Sequence, residues 1–264
     1  MNSLIPKMNL TPAPGSLIAV WFSCGAASAV AAKKTLERYG DTCRVRVINN
    51  PVAEEDEDNR RFLKDVEQWL GVEIEFATNP RWPTGSAAQV WHDRKFMSGP
   101  HGAPCTFHLK KEARQIWEAT NKPDYHVLGF TADEVKRHRD FTRSERDNVL
   151  PVLIDAGITK QHCGEILMAA GLELPRIYRL GYPNANCIGC VKATSPTYWN
   201  HVRQQHPEVF EERAKQSRAL GVKLARHKKV RVFIDELPPD AKGRPLKGMK
   251  FECGIFCEPE RFEK

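Results

Sequence analysis

The sequence predicts an α/β fold in which a parallel sheet carries helices on both faces, and three features point there. The run Leu17-Ile18-Ala19-Val20-Trp21-Phe22 is apolar at every position, the pattern of a strand covered on both sides. It breaks into a turn of small residues, SCGAAS, that opens an alanine-rich helical stretch. Strand-like and helix-like segments then keep alternating, as they do when each strand is followed by a crossover helix.

The elements follow in order. After a proline-containing arm over residues 1–15, the first strand leads through its turn to a helix that ends at Gly40. Val45 to Ile48 forms a second short strand. The connection NNPVAEEDEDN enters a helix on which Phe62, Leu63, Val66, Trp69 and Leu70 share one face, and Gly71 stops it. Val72 to Phe76 reads as another strand. Asn79 to Gly102, rich in Gly, Pro and Trp, reads as a long irregular connection of the kind that is usually functional or mobile. Helical pattern resumes over Thr106 to Ala119, and His126 to Phe130 reads as a strand, followed by the charged segment TADEVKRHRDFTRSERD.

A helix starting near Thr159 sets Cys163, Ile166, Leu167 and Ala170 on one face, which assigns Cys163 to the core. From Gly181 the character changes to loops with cysteines and aromatics, two short helices, and a Pro/Gly/Lys linker over Pro238 to Gly248 that reads as a mobile tether. The expected organisation is therefore an arm over 1–15, an α/β nucleotide-binding domain over 16–180 and a cysteine-containing region over 181–264.

At 264 residues the chain can bury a core without disulfides. No stretch approaches the roughly 20 apolar residues of a membrane span, and the start lacks a basic region followed by an apolar core. A cytoplasmic location is expected, with no membrane partner; nothing specifies an oligomeric state. The net charge of +7 favours anionic partners such as nucleotides, sulfate esters or nucleic acid. One dense basic run, KLARHKKVRV over Lys223 to Val232, suits a nucleic-acid contact or a solvated face equally well. Eight cysteines in a cytoplasmic chain point to metal binding or thiol chemistry for some of them.

Two constellations carry chemistry. Ser23, Gly25 and Ser28 sit in the turn that opens the first helix, where backbone amides, hydroxyls and the positive helix end make a site for phosphate or sulfate; the same small residues also serve simply to pack helix on strand. Cys187-Ile-Gly-Cys190, in a Gly/Asn-rich loop, lets two thiolates approach one metal or cluster. Cys105 upstream and Cys253 and Cys257 downstream could complete the ligands.

These motifs resemble those of the phosphoadenosine-phosphosulfate (PAPS) reductase family and its PP-loop relatives. SCGAASA stands where those proteins carry SGGxDS: Ser23, Gly25 and Ser28 match, while Cys24 and Ala27 replace a glycine and the usual aspartate. PCTFHLKK is similar to the family's CCxxRK element, with Cys105 on its first cysteine and Thr106 on its second. GFTADEVKR, ending at Arg137, resembles the second nucleotide-contacting loop, and GYPNANCIGC the Cys-x2-Cys element of the cluster-containing reductases. FECGIFC looks like the C-terminal ECGxH element, with Cys253 on the nucleophile and Phe256 where histidine is usual. The layout as a whole looks most like the phage-associated branch of the family.

The resemblance implies a Rossmann-like sheet holding an adenine sulfonucleotide, PAPS or the related APS, with Ser23, Gly25, Ser28, Lys110, Lys111 and Arg137 around its anionic groups. It also implies a 4Fe-4S cluster, with zinc as the alternative, on Cys105, Cys187, Cys190 and Cys257. In the reductase reading Cys253 attacks the sulfate sulfur, and thioredoxin or glutaredoxin then releases sulfite. A second reading is an iron–sulfur sulfurtransferase or ATP pyrophosphatase-like enzyme acting on RNA or DNA. A third is a module that binds nucleotide or cluster without catalysis.

Overall fold

The structure is a computed structural model that describes residues 10–100 and 102–247. Its centre is a five-stranded parallel sheet in the order β3-β2-β1-β4-β5. All six residues of β1 (Leu17–Phe22) are buried, as expected of the middle strand. The turn after it opens α1 (Ala26–Tyr39), and β2 (Arg44–Asn49) pairs alongside β1 from Leu17↔Arg44. Helix α2 (Asn59–Leu70) ends on Gly71 in the left-handed region, φ 69°, where glycine carries no β-carbon penalty. It leads to the edge strand β3 (Ile74–Phe76).

Between β3 and β4 the chain departs from its local pattern. The stretch expected to be irregular contains α3 (Ala87–Arg94), started by Ser86, whose side chain accepts from the Gln89 amide at 3.2 Å. The remaining cap comes from Glu54, whose carboxylate accepts from Ala87 N at 2.7 Å and Ala88 N at 2.9 Å. A cap donated from more than thirty positions away leaves no local signal. The helix expected over Thr106 to Ala119 is present, but Thr106–Glu112 is π-helical and only then continues as α4 (Ala113–Asn121).

Strand β4 (Tyr125–Val127) pairs with β1 on the side away from β2, and is shorter than the sequence suggested. The charged segment after it is a 3-10 turn (Ala132–Glu134) and α5 (Val135–Ser144), which returns to β5 (Val149–Leu150). Two helices, α6 (Val152–Asp155) and α7 (Lys160–Ala169), pack against α1 on one face of the sheet. On the other face Trp117 of α4 meets Trp21 edge-on at 5.6 Å.

The chain then runs through α8 (Arg176–Arg179), the cysteine loop, α9 (Pro196–Gln205) and α10 (Pro207–Ala219) to an antiparallel hairpin, β6 (Ala225–His227) and β7 (Val230–Val232). Trp199, Val202 and Phe210 belong to the same buried cluster as Val20 and Phe22, so the core continues from the sheet into this region. The part of the expected tether that is described, residues 238–247, is laid along α9 instead of hanging free. Asn200 Nδ2 donates to the carbonyls of Pro238 and Ala241, both at 2.9 Å, and the Gly243 amide donates to Thr197 Oγ1 at 2.8 Å. Among the described residues no helix is long and apolar enough to cross a membrane.

Candidate functional site

Winding reverses between β1 and β4, and in an open parallel sheet ligands bind in the crevice beyond the strand ends at such a point. A cavity of about 760 Å³ lies there. Ser23, Gly25, Ser28, Lys110 and Arg137, far apart in sequence, all line it.

The turn at its floor is held from within. Cys24 takes the left-handed conformation, φ 55°, and its buried sulfur accepts from Asn49 Nδ2 at 3.4 Å. Burial and the nearby Glu55 carboxylate push the Cys24 thiol up to about 12, which keeps it protonated. Ser28 Oγ accepts from the Ser23 amide at 3.1 Å and donates to the Gly25 carbonyl at 2.9 Å, so this hydroxyl closes the turn. Tyr178 OH accepts from the Ala26 amide at 3.2 Å. Gly129 makes the arrangement possible: a β-carbon there would fall 2.8 Å from Ser28 N and 3.0 Å from Ala27 C, so only glycine lets the loop after β4 lie against the first turn of α1.

Next to this cavity lies a smaller one, about 70 Å³, lined by Cys105, Cys187 and Cys190 together with Trp91 and Lys110. Cys105 precedes the π-helical turn, and the other two sit in a loop that Gly189, φ 67°, turns back on itself. That loop is anchored from three directions. The Cys190 amide donates to Tyr198 OH at 2.8 Å, the Ile188 amide to the Glu54 carbonyl at 2.9 Å, and Arg213 Nε to the Gly189 carbonyl at 3.2 Å.

Lys110 is common to both cavities, and its Nζ lies 3.0 Å from Glu55 Oε1. Burial opposes its charge, but Glu55 and then the cysteines behind it outweigh burial and hold its pKa above the ordinary lysine value. Burial raises the Cys187 thiol far above its usual range, against the pull of Lys110. A metal would have to displace those protons, which is how thiolate sites form.

Among the described residues no group of three or more His, Cys, Asp or Glu side chains is arranged to hold a metal ion. Three thiols that line one cavity fit a cluster, whose irons are each held by a separate thiolate. An unmatched donor supports the same fit. Trp91 Nε1 is buried without a conventional partner, and it faces Cys105, whose thiol burial raises while the indole N–H lowers it. A negatively charged sulfur in that cavity would take the N–H.

Lys111, the other lysine of the expected anion site, lies outside the large cavity and pairs with Glu145. Cys253, Cys257 and Phe256 lie outside the described residues. Four contributors escaped sequence reasoning. Arg114 and Lys160 line the large cavity, Glu55 grips Lys110, and Glu54 joins α3 to the cysteine loop. Arg114 had a signal, being four positions after Lys110 on one helical face; the glutamates had only their place in an acidic run directly after β2.

No family model matches the chain, and no curated protein matches it. The solved structure of the U34-tRNA thiolase NcsA from Methanococcus maripaludis with its 4Fe-4S cluster is similar over 90% of this chain and 85% of that one, at 13% identity and a TM-score of 0.43. Likeness at that level carries nothing about this chain's activity.

Proposed function

We propose that the chain is an iron–sulfur enzyme of the PP-loop type that uses an adenine nucleotide to transfer sulfur to a nucleotide or nucleic-acid acceptor. The observation that carries this reading is the shared wall: Lys110 and Asn186 line both the cavity at the switch point and the cavity of the three cysteines. Two cavities so joined support a reading in which an activated nucleotide would lie beside a sulfur-binding centre. Cys105, Cys187 and Cys190 would hold a 4Fe-4S cluster, and three protein ligands would leave one iron able to bind sulfur. The chain's own residues supply the rest. The turn from Ser23 to Ser28 seats phosphate, Lys110 places positive charge between the two anionic groups, and Arg114, Arg137 and Lys160 add cations around the nucleotide.

Anaerobic iron and sulfide analysis tests the reading. About four irons per chain are expected, with loss of brown colour on replacing Cys105, Cys187 or Cys190 by alanine. Unchanged iron in the Cys187→Ala protein would sink it.

The reductase reading keeps one specific support. Lys247, the last described residue, lines the nucleotide cavity, and Cys253 follows six positions later. A reductase must form a protein S-sulfonate on Cys253 when given PAPS or APS without thioredoxin or glutaredoxin, adding roughly 80 Da to the intact mass through a covalent thiol intermediate. The adduct favours reduction, and its absence with cluster in place leaves sulfur transfer.

A further inference from the structure

Beside the cysteine cavity is a third recess, about 420 Å³, which Cys187 and Cys190 also line. Lys192, Arg244 and Lys247 line it too, with no carboxylate among its lining residues. The amide side chains of Asn184 and Asn186 and the hydroxyl of Ser195 add polar groups to a lining that also holds the rings of Tyr182 and Tyr198. Its volume suits one nucleotide-sized ligand.

The hairpin β6–β7 is tied to the rim of that recess. The Arg226 amide donates to the Thr194 carbonyl at 2.8 Å, and the Ala193 amide to the Cys190 carbonyl at 2.9 Å. The first bond joins the hairpin to the segment after Cys190, and the second closes the turn of that same segment onto Cys190. At the tip, His227 pairs with Val230 across a two-residue turn in which Lys228 (φ 46°) and Lys229 (φ 69°) are both left-handed. Such turns favour Asn-Gly, because a β-carbon at positive φ is strained. Two lysines there work against the turn's own preference. Arg226, Lys228, Lys229 and Arg231 are exposed, and none of them makes an ion pair among the described residues.

We propose that this hairpin is a docking rib for the phosphodiester backbone of a nucleic acid, and that the strand continues past Lys192 to seat one nucleotide in the recess beside Cys187 and Cys190. Unpaired cations at an exposed tip fit a regularly charged polyanion. A carboxylate-free recess with amide groups fits a base with its phosphate. The inference deepens the sulfur-transfer reading by naming the acceptor, and rests on that reading only for the chemistry at the cysteines.

The test is fluorescence anisotropy of labelled oligonucleotides of about 16 residues, as single-stranded RNA, single-stranded DNA and duplex DNA, titrated with the full chain. The salt range runs from about 50 to 200 mM. The variant is Lys228→Asn with Lys229→Gly, which installs the residues the turn prefers while removing both charges. It should unfold no lower than wild type, bind roughly tenfold more weakly, and reduce the slope of log affinity against log salt by about 2. Arg226→Gln with Arg231→Gln, away from the tip, should act in the same direction. The ranking of the three oligonucleotides identifies the acceptor class. Equal affinity and slope in both variants would overturn the proposal, as would wild-type binding of polyglutamate as tight as that of RNA or DNA, which marks an acidic protein partner. Iron content measured on the same samples keeps the two ideas apart: the hairpin can fail while the cluster stays.

Discussion

Lys110 Nζ stands 3.0 Å from Glu55 Oε1, and the lysine so held lines both the cavity at the switch point and the cysteine cavity. The Glu55 side chain is 7% exposed and that of Lys110 31%, the latter opening into the cavities it lines. Replacing Glu55 by glutamine leaves the lysine charge without a counter-charge. Glu55→Gln should lower unfolding free energy by about 1–3 kcal/mol, short of a fully buried case because Lys110 keeps part of its solvation. Urea denaturation measures this. The double variant Glu55→Gln with Lys110→Met should lose less than Glu55→Gln alone if the unpaired charge is the cause.

Gly129→Ala tests the close approach to the first turn of α1. The new β-carbon would meet backbone atoms at 2.8 and 3.0 Å, which cannot swing aside as a side chain can. A loss of about 1–3 kcal/mol is expected, and calorimetric titration with ATP or PAPS should show weakened binding. At Gly25 the nearest atom to an added β-carbon is the Tyr178 hydroxyl, 3.2 Å away, so Gly25→Ala should be milder.

Trp91→Phe keeps the aromatic packing but deletes the buried N–H that faces Cys105. Iron content should be unchanged. With a cluster bound as proposed, its reduction potential should move negative, since a hydrogen bond to a ligating sulfur stabilises the reduced form. A redox titration followed by electron paramagnetic resonance reads the shift, and an unchanged potential would remove Trp91 from the site.

Asp58 gives the chain an acid-sensitive tie. Its hydrogen bonds from Arg61 lower its pKa to about 2 against the cost of burial, with the Arg176 amide adding to the effect. A carboxylate with a depressed folded pKa stabilises the fold above its unfolded pKa, and that contribution is lost as pH falls from about 4 toward 2. Asp58→Asn should therefore cost about 2 kcal/mol at neutral pH. Its stability should fall less steeply than wild type's over that acid window, which thermal unfolding at a series of pH values measures.

The sequence by itself determined what depends on neighbours along the chain. The apolar run of β1 demanded burial on both faces, Gly40 and Gly71 stopped their helices, and the Cys187–Cys190 spacing marked a loop able to bring two sulfurs together. Ser23, Gly25 and Ser28 were legible for the same reason, since turns after strands carry their signal in a few consecutive residues, whereas Arg137, on α5, was reached only through the family resemblance. Tertiary structure decided the rest. Helix α3 forms where local composition suggests an irregular connection, because a carboxylate from the loop after β2 caps it. Lys110 rather than Lys111 faces the cavities, because helical phase and the position of Glu55 select between adjacent lysines. The strand order 3-2-1-4-5 set the loops after β1 and β4 side by side and so created the crevice. Local pattern encodes which segments become strands and turns, whereas the meeting of side chains thirty to a hundred positions apart is fixed only when the sheet assembles.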